Sequence, residues 1–425
     1  MRRIRDNIVP PTSGQRFPAL DGLRGVAILM VTALHLWGAS GYPRLPLHLD
    51  VYPAFGYVGV RLFFALSGFC LFYPLAQARV TGKAWPRWSV FALRRAVRIL
   101  PAYYLALTIS ALIWQRYGQP TDPYPAARHI LAHAFFVHTL VKGTATSVNP
   151  PMWSLGVEIH YYLVFPLLAL AFARWPIRAF VAAFAWSAIC AAAGPHIPVG
   201  PWWRPFTFGL FPSSFLDFGS GMLAAHIVAS VPLRRSHVMA LCAFGLFGLI
   251  GAPLAQHLIY PWSPGMIAWR WQSLWSPCWG ALIVGCVSSR SLSAFFGWRP
   301  LATVGVASYS LYLYQVLIVP APQWFYPRLP VGLAWVALTL AVLATAGLCS
   351  YLLAERPFLQ LRAALRSQQR GRDGEEVHRA VGVVAAASAV PGSCGSEAAP
   401  GYHRHQVSDR QRRTCADGRH PPDVV

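Results

Sequence analysis

Apolar positions in this chain come neither in strict alternation nor in narrow amphipathic stripes, but in long runs. Runs of that length with few charges predict helices that cross a membrane. The first, at about 18–37, lies within Phe17–Trp37 (FPALDGLRGVAILMVTALHLW). Others at about 56–76, 99–116, 152–173, 177–194, 206–229, 237–257, 270–288, 301–321 and 332–353 bring the expectation to ten spans. Pro101 falls in the first turn of the third span, where proline is tolerated.

One further apolar stretch, 129–141 (HILAHAFFVHTLV), is short for a span and carries His129, His133 and His138. Basic residues arbitrate its placement. If it does not cross, Arg79, Lys83, Arg87, Arg94, Arg95 and Arg98 share the cytoplasmic side with the pairs Arg174/Arg178, Arg234/Arg235 and Arg290/Arg299. If it does cross, every later pair moves outside. The stretch is therefore read as re-entrant or interfacial. His129 and His133 share a helical face, as half a metal site would, but no third ligand is evident. Interfacial histidines are the simpler account, and no metal is expected.

The expected class is an all-α integral membrane protein, a bundle of about ten transmembrane helices. Residues 1–17 form a cytoplasmic N-terminal segment and 18–358 the membrane domain. Residues 359–425 form a basic, largely disordered cytoplasmic tail. Around 358–366 the pattern suits a short amphipathic helix on the inner surface; from 367 onward Gly, Ser, Arg and Pro leave little to pack.

Composition agrees with this class: 55% of the 425 residues are hydrophobic and 12% charged. A formal charge of +22 would suggest nucleic acid in a soluble protein, but here the arginines sit in short loops and the tail. No nucleic-acid partner is expected; the bilayer is. The N-terminal arginines mimic a signal peptide, yet the run behind them is long and holds Arg24 and His35, so an uncleaved first span is expected. The eight cysteines show no metal or disulfide spacing, and Cys70, Cys190 and Cys242 read as small core residues.

Candidate chemistry lies in polar residues inside the apolar runs. Arg24 and His35 are eleven positions apart, which puts them within roughly 20° of one helical face and about 16 Å apart along it. Asp21 lies near the same side. That face should look into the protein or a wet cavity, because ionisable groups facing lipid are costly. A snorkelling arginine and a satisfied histidine would be the plain alternative. Glu158 stands about 9 Å into the span that opens PMWSLGVEIHYYLVFP, at a depth expected to match His35. A carboxylate at that level can orient an imidazole, or merely neutralise Arg61. Arg94, Arg95 and Arg98 stand at helical spacings, and clustered guanidiniums suit phosphates. Arg61 lies inside GVRLFFALSG, whose Ser67-Gly68 permits close helix approach. In ASYSLYLYQ, Ser308, Ser310 and Gln315 could be interhelical hydrogen-bond partners.

Six stretches in order, LDGLRG with His35 downstream, GVRLFFALSG, LRRAVRILPAYY, WSLGVEIHYYLVFP, ASYSLYLYQ and ERPF, resemble the acyltransferase-3 family of integral membrane acyltransferases over about 18–358. The resemblance implies a fold of about ten helices. It implies O-acylation of a hydroxyl-bearing acceptor, a glycan or lipid-linked sugar, with acyl-CoA (in most members acetyl-CoA) as donor and no permanently bound cofactor. It also implies a bacterial inner membrane with both termini cytoplasmic. His35 matches the essential histidine, Arg24 its paired arginine and Glu158 the first acidic residue of the WSLxVE motif. Ile159, His160 and Gln315 depart from the common pattern, and Gln315 replaces a histidine found in many members.

The expected catalytic residues are thus His35 and Glu158, with Arg24, Arg94, Arg95 and Arg98 holding the donor. Asp21, Arg61, Trp153, Ser154 and Tyr309 are the expected substrate-binding residues. His35 would act as general base or accept the acyl group transiently. The same intramembrane Arg24, His35, Arg61 and Glu158 would also suit a proton-coupled transporter or flippase, although no inverted repeat is evident.

Overall fold

A computed structural model describes residues 17–85, 87–117, 125–193, 214–259, 275–319 and 332–360. The expected disordered tail, the N-terminal segment before Phe17, and parts of the spans expected at 206–229, 270–288 and 301–321 lie outside the described residues. Among the described residues all regular structure is helical. Pro18 opens α1 (Pro18–Ala39), its fixed φ suited to a first helical position. Then come α2 (Val58–Val80), α3 (Trp88–Tyr117), α4 (Ala126–Ala134), α5 (Trp153–Arg174), α6 (Pro176–Ala193) and α7 (Ser214–Ser230). α8 (Arg235–Leu246) continues through a π-turn into α9 (Ala252–Ile259). α10 (Ser276–Ser288), α11 (Arg290–Phe296), α12 (Arg299–Val306), α13 (Ser308–Ile318) and α14 (Leu333–Ser350) follow.

Among the described residues six helices are long and apolar enough to cross a membrane, or up to eight if each of two bent pairs counts once, against the expected ten. α10/α11 bends by 101° and α12/α13 by 72°, and α6 and α7 are apolar but shorter. The first break has a local cause: Ser289 ends α10 in an extended conformation and its hydroxyl caps Leu292 N at 3.4 Å. Leu163, Leu167 and Leu170 on α5 are 73%, 71% and 55% exposed. A leucine stripe this exposed fits lipid rather than water.

Two expectations about helix limits resolve differently. α3 starts at Trp88, so Pro101 lies inside a 30-residue helix rather than in its first turn. The basic cluster is the first part of that helix, since its i,i+3 and i,i+4 spacing is helical already. The 129–141 stretch holds only the last six residues of the nine-residue α4, which is about 14 Å long against roughly 30 Å for a bilayer core. It does not cross, as the charge bias required.

The apolar interior forms two clusters. One joins α1, α2, α5, α7 and α10 around Leu23, Phe69, Phe72, Phe165, Phe218 and Trp279. The other joins α3 and α13 to the loop before α5 through Tyr103, Phe136, Met152 and Leu313. Close approach is needed in the first: a side-chain carbon at Gly68 would lie 2.2 Å from the Phe218 carbonyl oxygen. Ser67-Gly68 thus does permit the tight α2–α7 contact. Beside it Arg61, 2% exposed, donates from Nη1 to Asp217 Oδ2 at 2.7 Å and to Ser214 Oγ at 3.3 Å. Ser276 Oγ on α10 donates to the other oxygen of Asp217. One buried ion pair therefore ties α2, α7 and α10.

Beyond α4 the chain folds back as a buried layer. His133 Nδ1 donates to His129 O at 2.9 Å and its ring stacks on His138, 4.2 Å away and 5° from parallel. His138 Nε2 donates to Met152 O at 2.9 Å, and Asn149 Nδ2 donates to Leu313 O at 2.9 Å. Burial, and for His133 the neighbouring imidazole, push His133 down to about 3 and His138 down to about 4.

Asp217→Asn should destabilise the protein by about 3–5 kcal/mol, because it strands a buried guanidinium; thermal unfolding in detergent reads this. The histidine pair makes stability pH-dependent. Between the ordinary pKa of about 6.5 and the lowered folded values, the unfolded chain binds more protons, so stability falls as pH falls. From pH 7 to pH 5 each imidazole should remove roughly 2 kcal/mol as its unfolded form takes up a proton. The thermal midpoint should drop accordingly, and His133→Gln with His138→Gln should flatten its pH slope.

Candidate functional site

A cavity lies along the seam between the two apolar clusters, where α1, α2, α3, α5 and α13 converge. Val60, Phe63, Phe64, Ile99 and Leu155 supply apolar wall; Arg24, Arg95, Arg98 and Glu158 supply charge. Arg24 donates from Nη1 to Asp21 Oδ1 at 2.9 Å and from Nη2 to Cys70 Sγ at 3.0 Å. Arg95 lies over the Phe91 ring, 5.9 Å from its centroid, and its buried Nε has no hydrogen-bond partner. Arg98 is exposed at the cavity's edge. Three guanidiniums thus face one space with Glu158 as the carboxylate in its wall.

Glu158 is held by hydroxyls. Its Oε1 accepts from Ser67 Oγ at 2.9 Å and from Tyr162 OH, one turn along α5, at 2.5 Å. Tyr309 and Ser154 line the same cavity. Tyr309 OH donates to Ile99 O at 3.0 Å, and Ser154 Oγ shares a 2.8 Å hydrogen bond with Tyr312 OH.

Other expected site residues lie elsewhere. Arg94 is outside the lining, being turned about 100° around α3 from Arg95. Arg61 is buried in its pair with Asp217, so it neither lines the cavity nor is neutralised by Glu158. Trp153 is not in the lining either; it sets its ring edge-on to Phe64, 6.4 Å away. Cys70, expected as a small core residue, lines the cavity beside Arg24.

His35 does not line the cavity, and the expected His35–Glu158 pair is not formed. Register explains this. α1 and α2 run antiparallel, with Gly59 against Ala27 O and Gly56 against Met30 O. From the Ala27 level His35 lies about 12 Å one way, while Ser67, which holds Glu158, lies about 12 Å the other way. The depth argument failed because α5 is preceded by a buried layer, holding His138, Thr144 and Asn149, rather than by an exposed loop.

His35 has its own setting in the last turns of α1. Nδ1 donates to Val31 O at 2.8 Å, which leaves Nε2 as the basic nitrogen. Gln315 lies within hydrogen-bonding reach of the ring. Gln315 is fully buried and its Oε1 accepts from Thr32 Oγ1 at 3.4 Å. It stands one helical turn beyond Tyr312, so His35 sits past the aromatic end of the cavity.

Sequence reasoning passed over Tyr162 and Asp217 and read Ser67 only as permitting close helix approach. Tyr162 was findable, being four residues from Glu158 and on its face. Asp217 was a lone carboxylate inside an apolar run, which by itself marks an intramembrane partner. Among the described residues no group of three His, Cys, Asp or Glu could hold a metal ion.

Known proteins resemble this chain over most of its length. The sequence model of a family described as "Acyltransferase domain" matches residues 17–354. The peptidoglycan O-acetyltransferase OatA of Listeria monocytogenes is 23% identical over 71% of this chain and 49% of its own length. The acyltransferase MdmB of Streptomyces mycarofaciens is 28% identical over 53% of this chain and 61% of its own. A putative membrane-bound transacylase, BcsY of Komagataeibacter xylinus, is 26% identical over 87% and 90% respectively. The chain spans about half the length of the peptidoglycan O-acetyltransferases it matches. No solved structure matches it significantly.

Proposed function

Because this chain belongs to the acyltransferase-3 family, whose model matches it over residues 17–354, we propose that it transfers an acyl group from acyl-CoA to a hydroxyl across a membrane. The donor is acetyl-CoA on the cytoplasmic side. The acceptor is a glycan on the far side, peptidoglycan being the one named for two of the relatives. The membrane is the bacterial inner membrane, with both termini cytoplasmic.

The observation that carries this reading is the convergence of Arg24, Arg95 and Arg98 on one cavity, several helical turns from His35. Guanidiniums recognise phosphate through charge-assisted, paired hydrogen bonds. Arg95 keeps a buried Nε without an acceptor, so a ligand oxygen there would satisfy it. Asp21 orients Arg24, and Arg94 adds positive potential outside the cavity. The pantetheine arm follows the apolar seam past Phe63 and Tyr312 toward His35. Glu158, whose Oε1 takes both hydroxyls, offers Oε2 to an amide N–H of the arm. Tyr309 and Ser154 shape the same wall.

His35 Nε2 takes the proton of the acceptor hydroxyl as it attacks the thioester. Its Nδ1–H bond to Val31 O fixes the required tautomer. A thioester is an activated donor, so positioning plus one base suffices.

The test is acyl transfer from radiolabelled acetyl-CoA into envelope material, comparing membranes holding equal amounts of wild-type and His35→Ala protein. Label should fall by about 10²–10⁴-fold in the variant. Full transfer by a normally inserted His35→Ala protein would sink the proposal.

A further inference from the structure

Gln315 is a buried amide with half its hydrogen-bonding capacity unused. Its side chain is fully buried on α13. Thr32 Oγ1 donates to Oε1 at 3.4 Å, which turns the amide nitrogen away from Thr32. That nitrogen has no acceptor. A buried donor left unmade is destabilising, and such groups persist where a ligand completes them. Here the neighbouring ring is His35, which stands close to Gln315 with Nδ1 committed to Val31 O. A basic nitrogen and an unused N–H donor therefore stand side by side, one helical turn beyond the aromatic end of the cavity.

We propose that the Gln315 side-chain amide is a catalytic residue, the N–H donor that binds the oxyanion formed when the acceptor attacks the acyl carbonyl beside His35. This rests on the acyl-transfer reading above. The acceptor oxygen bonds to the carbonyl carbon while its proton passes to His35 Nε2. The C=O π pair moves onto oxygen, where Gln315 Nε2–H donates to it. Collapse re-forms the carbonyl and breaks the C–S bond. The departing CoA thiolate takes the proton from the imidazolium, so an ester and free CoA result. A donor aimed where charge develops stabilises the transition state far more than the ground state. Thr32 is the positioning residue, because its hydroxyl decides which end of the amide faces the reaction.

Three variants test this in membranes of the full chain, with acetyl-CoA as donor. Gln315→Met keeps size and burial but removes the donor; kcat should fall 10²–10³-fold with KM for acetyl-CoA changed less than about twofold. Gln315→His restores an N–H and should recover transfer to within about tenfold of wild type. Thr32→Val, nearly isosteric, only frees the amide and should lower kcat by about tenfold. Alkylation of Cys70, which lines the cavity away from this site, checks that each variant folds. Wild-type kcat in Gln315→Met overturns the inference, and so does a loss confined to KM. A Gln315→His protein that folds but stays as impaired as Gln315→Met also overturns it, since a packing role then accounts for both. If the wild-type protein transfers no acyl group, the acyltransferase reading itself falls, and this inference with it.

Discussion

A guanidinium in a bilayer must find counter-charge, acceptor or water, and that constraint organises this molecule. Four arginines lie within or beside its apolar helices, and each meets the requirement differently. Arg61 is fully buried against Asp217 and becomes a tie between helices. Arg24 takes Asp21 and the Cys70 thiol. Arg95 and Arg98 face the same cavity as Arg24, and Arg95 retains an unmet donor. The guanidinium paired with a buried carboxylate belongs to the scaffold. The guanidiniums that share the cavity point to an anionic ligand.

The cavity exists because two apolar clusters do not merge. α5 touches both, with Tyr161 and Phe165 in one and Leu155 in the other. Glu158 lies on this helix at the seam, and Ser67 and Tyr162 hold it from either side. The re-entrant layer before α5 sets the level at which that helix begins. It thereby separates the charged chamber from His35, as the proposed two-sided transfer would require.

Much of the helical architecture was legible in the sequence, because a bilayer demands long apolar runs and biases basic residues to one side. The non-spanning reading of 129–141 followed from its shortness and from charge bias. Arg24, Arg95, Arg98, Glu158, Ser154 and Tyr309 were named from motifs and do meet at one cavity. What the sequence did not carry was register between distant helices. Depth was counted from presumed span ends, and the buried layer before α5 shifted Glu158 away from His35. Charge type alone likewise could not separate Arg61 from Arg24; only the position of Asp217 does. The helix break at Ala307 was hidden too, since it falls inside the span expected at 301–321, whereas the span expected at 270–288 already stops at the Ser289 break.

The central claim is that the seam cavity receives acyl-CoA through Arg24, Arg95 and Arg98. Cys70 in its wall gives a direct reporter. The measurement is the alkylation rate of Cys70 in inside-out membrane vesicles, read by mass spectrometry of its peptide, with and without acetyl-CoA. The account predicts that acetyl-CoA slows labelling in a saturable manner, and that Arg95→Gln raises the concentration needed. Labelling indifferent to acetyl-CoA at saturating concentration, in a protein that transfers acetyl groups, would contradict it.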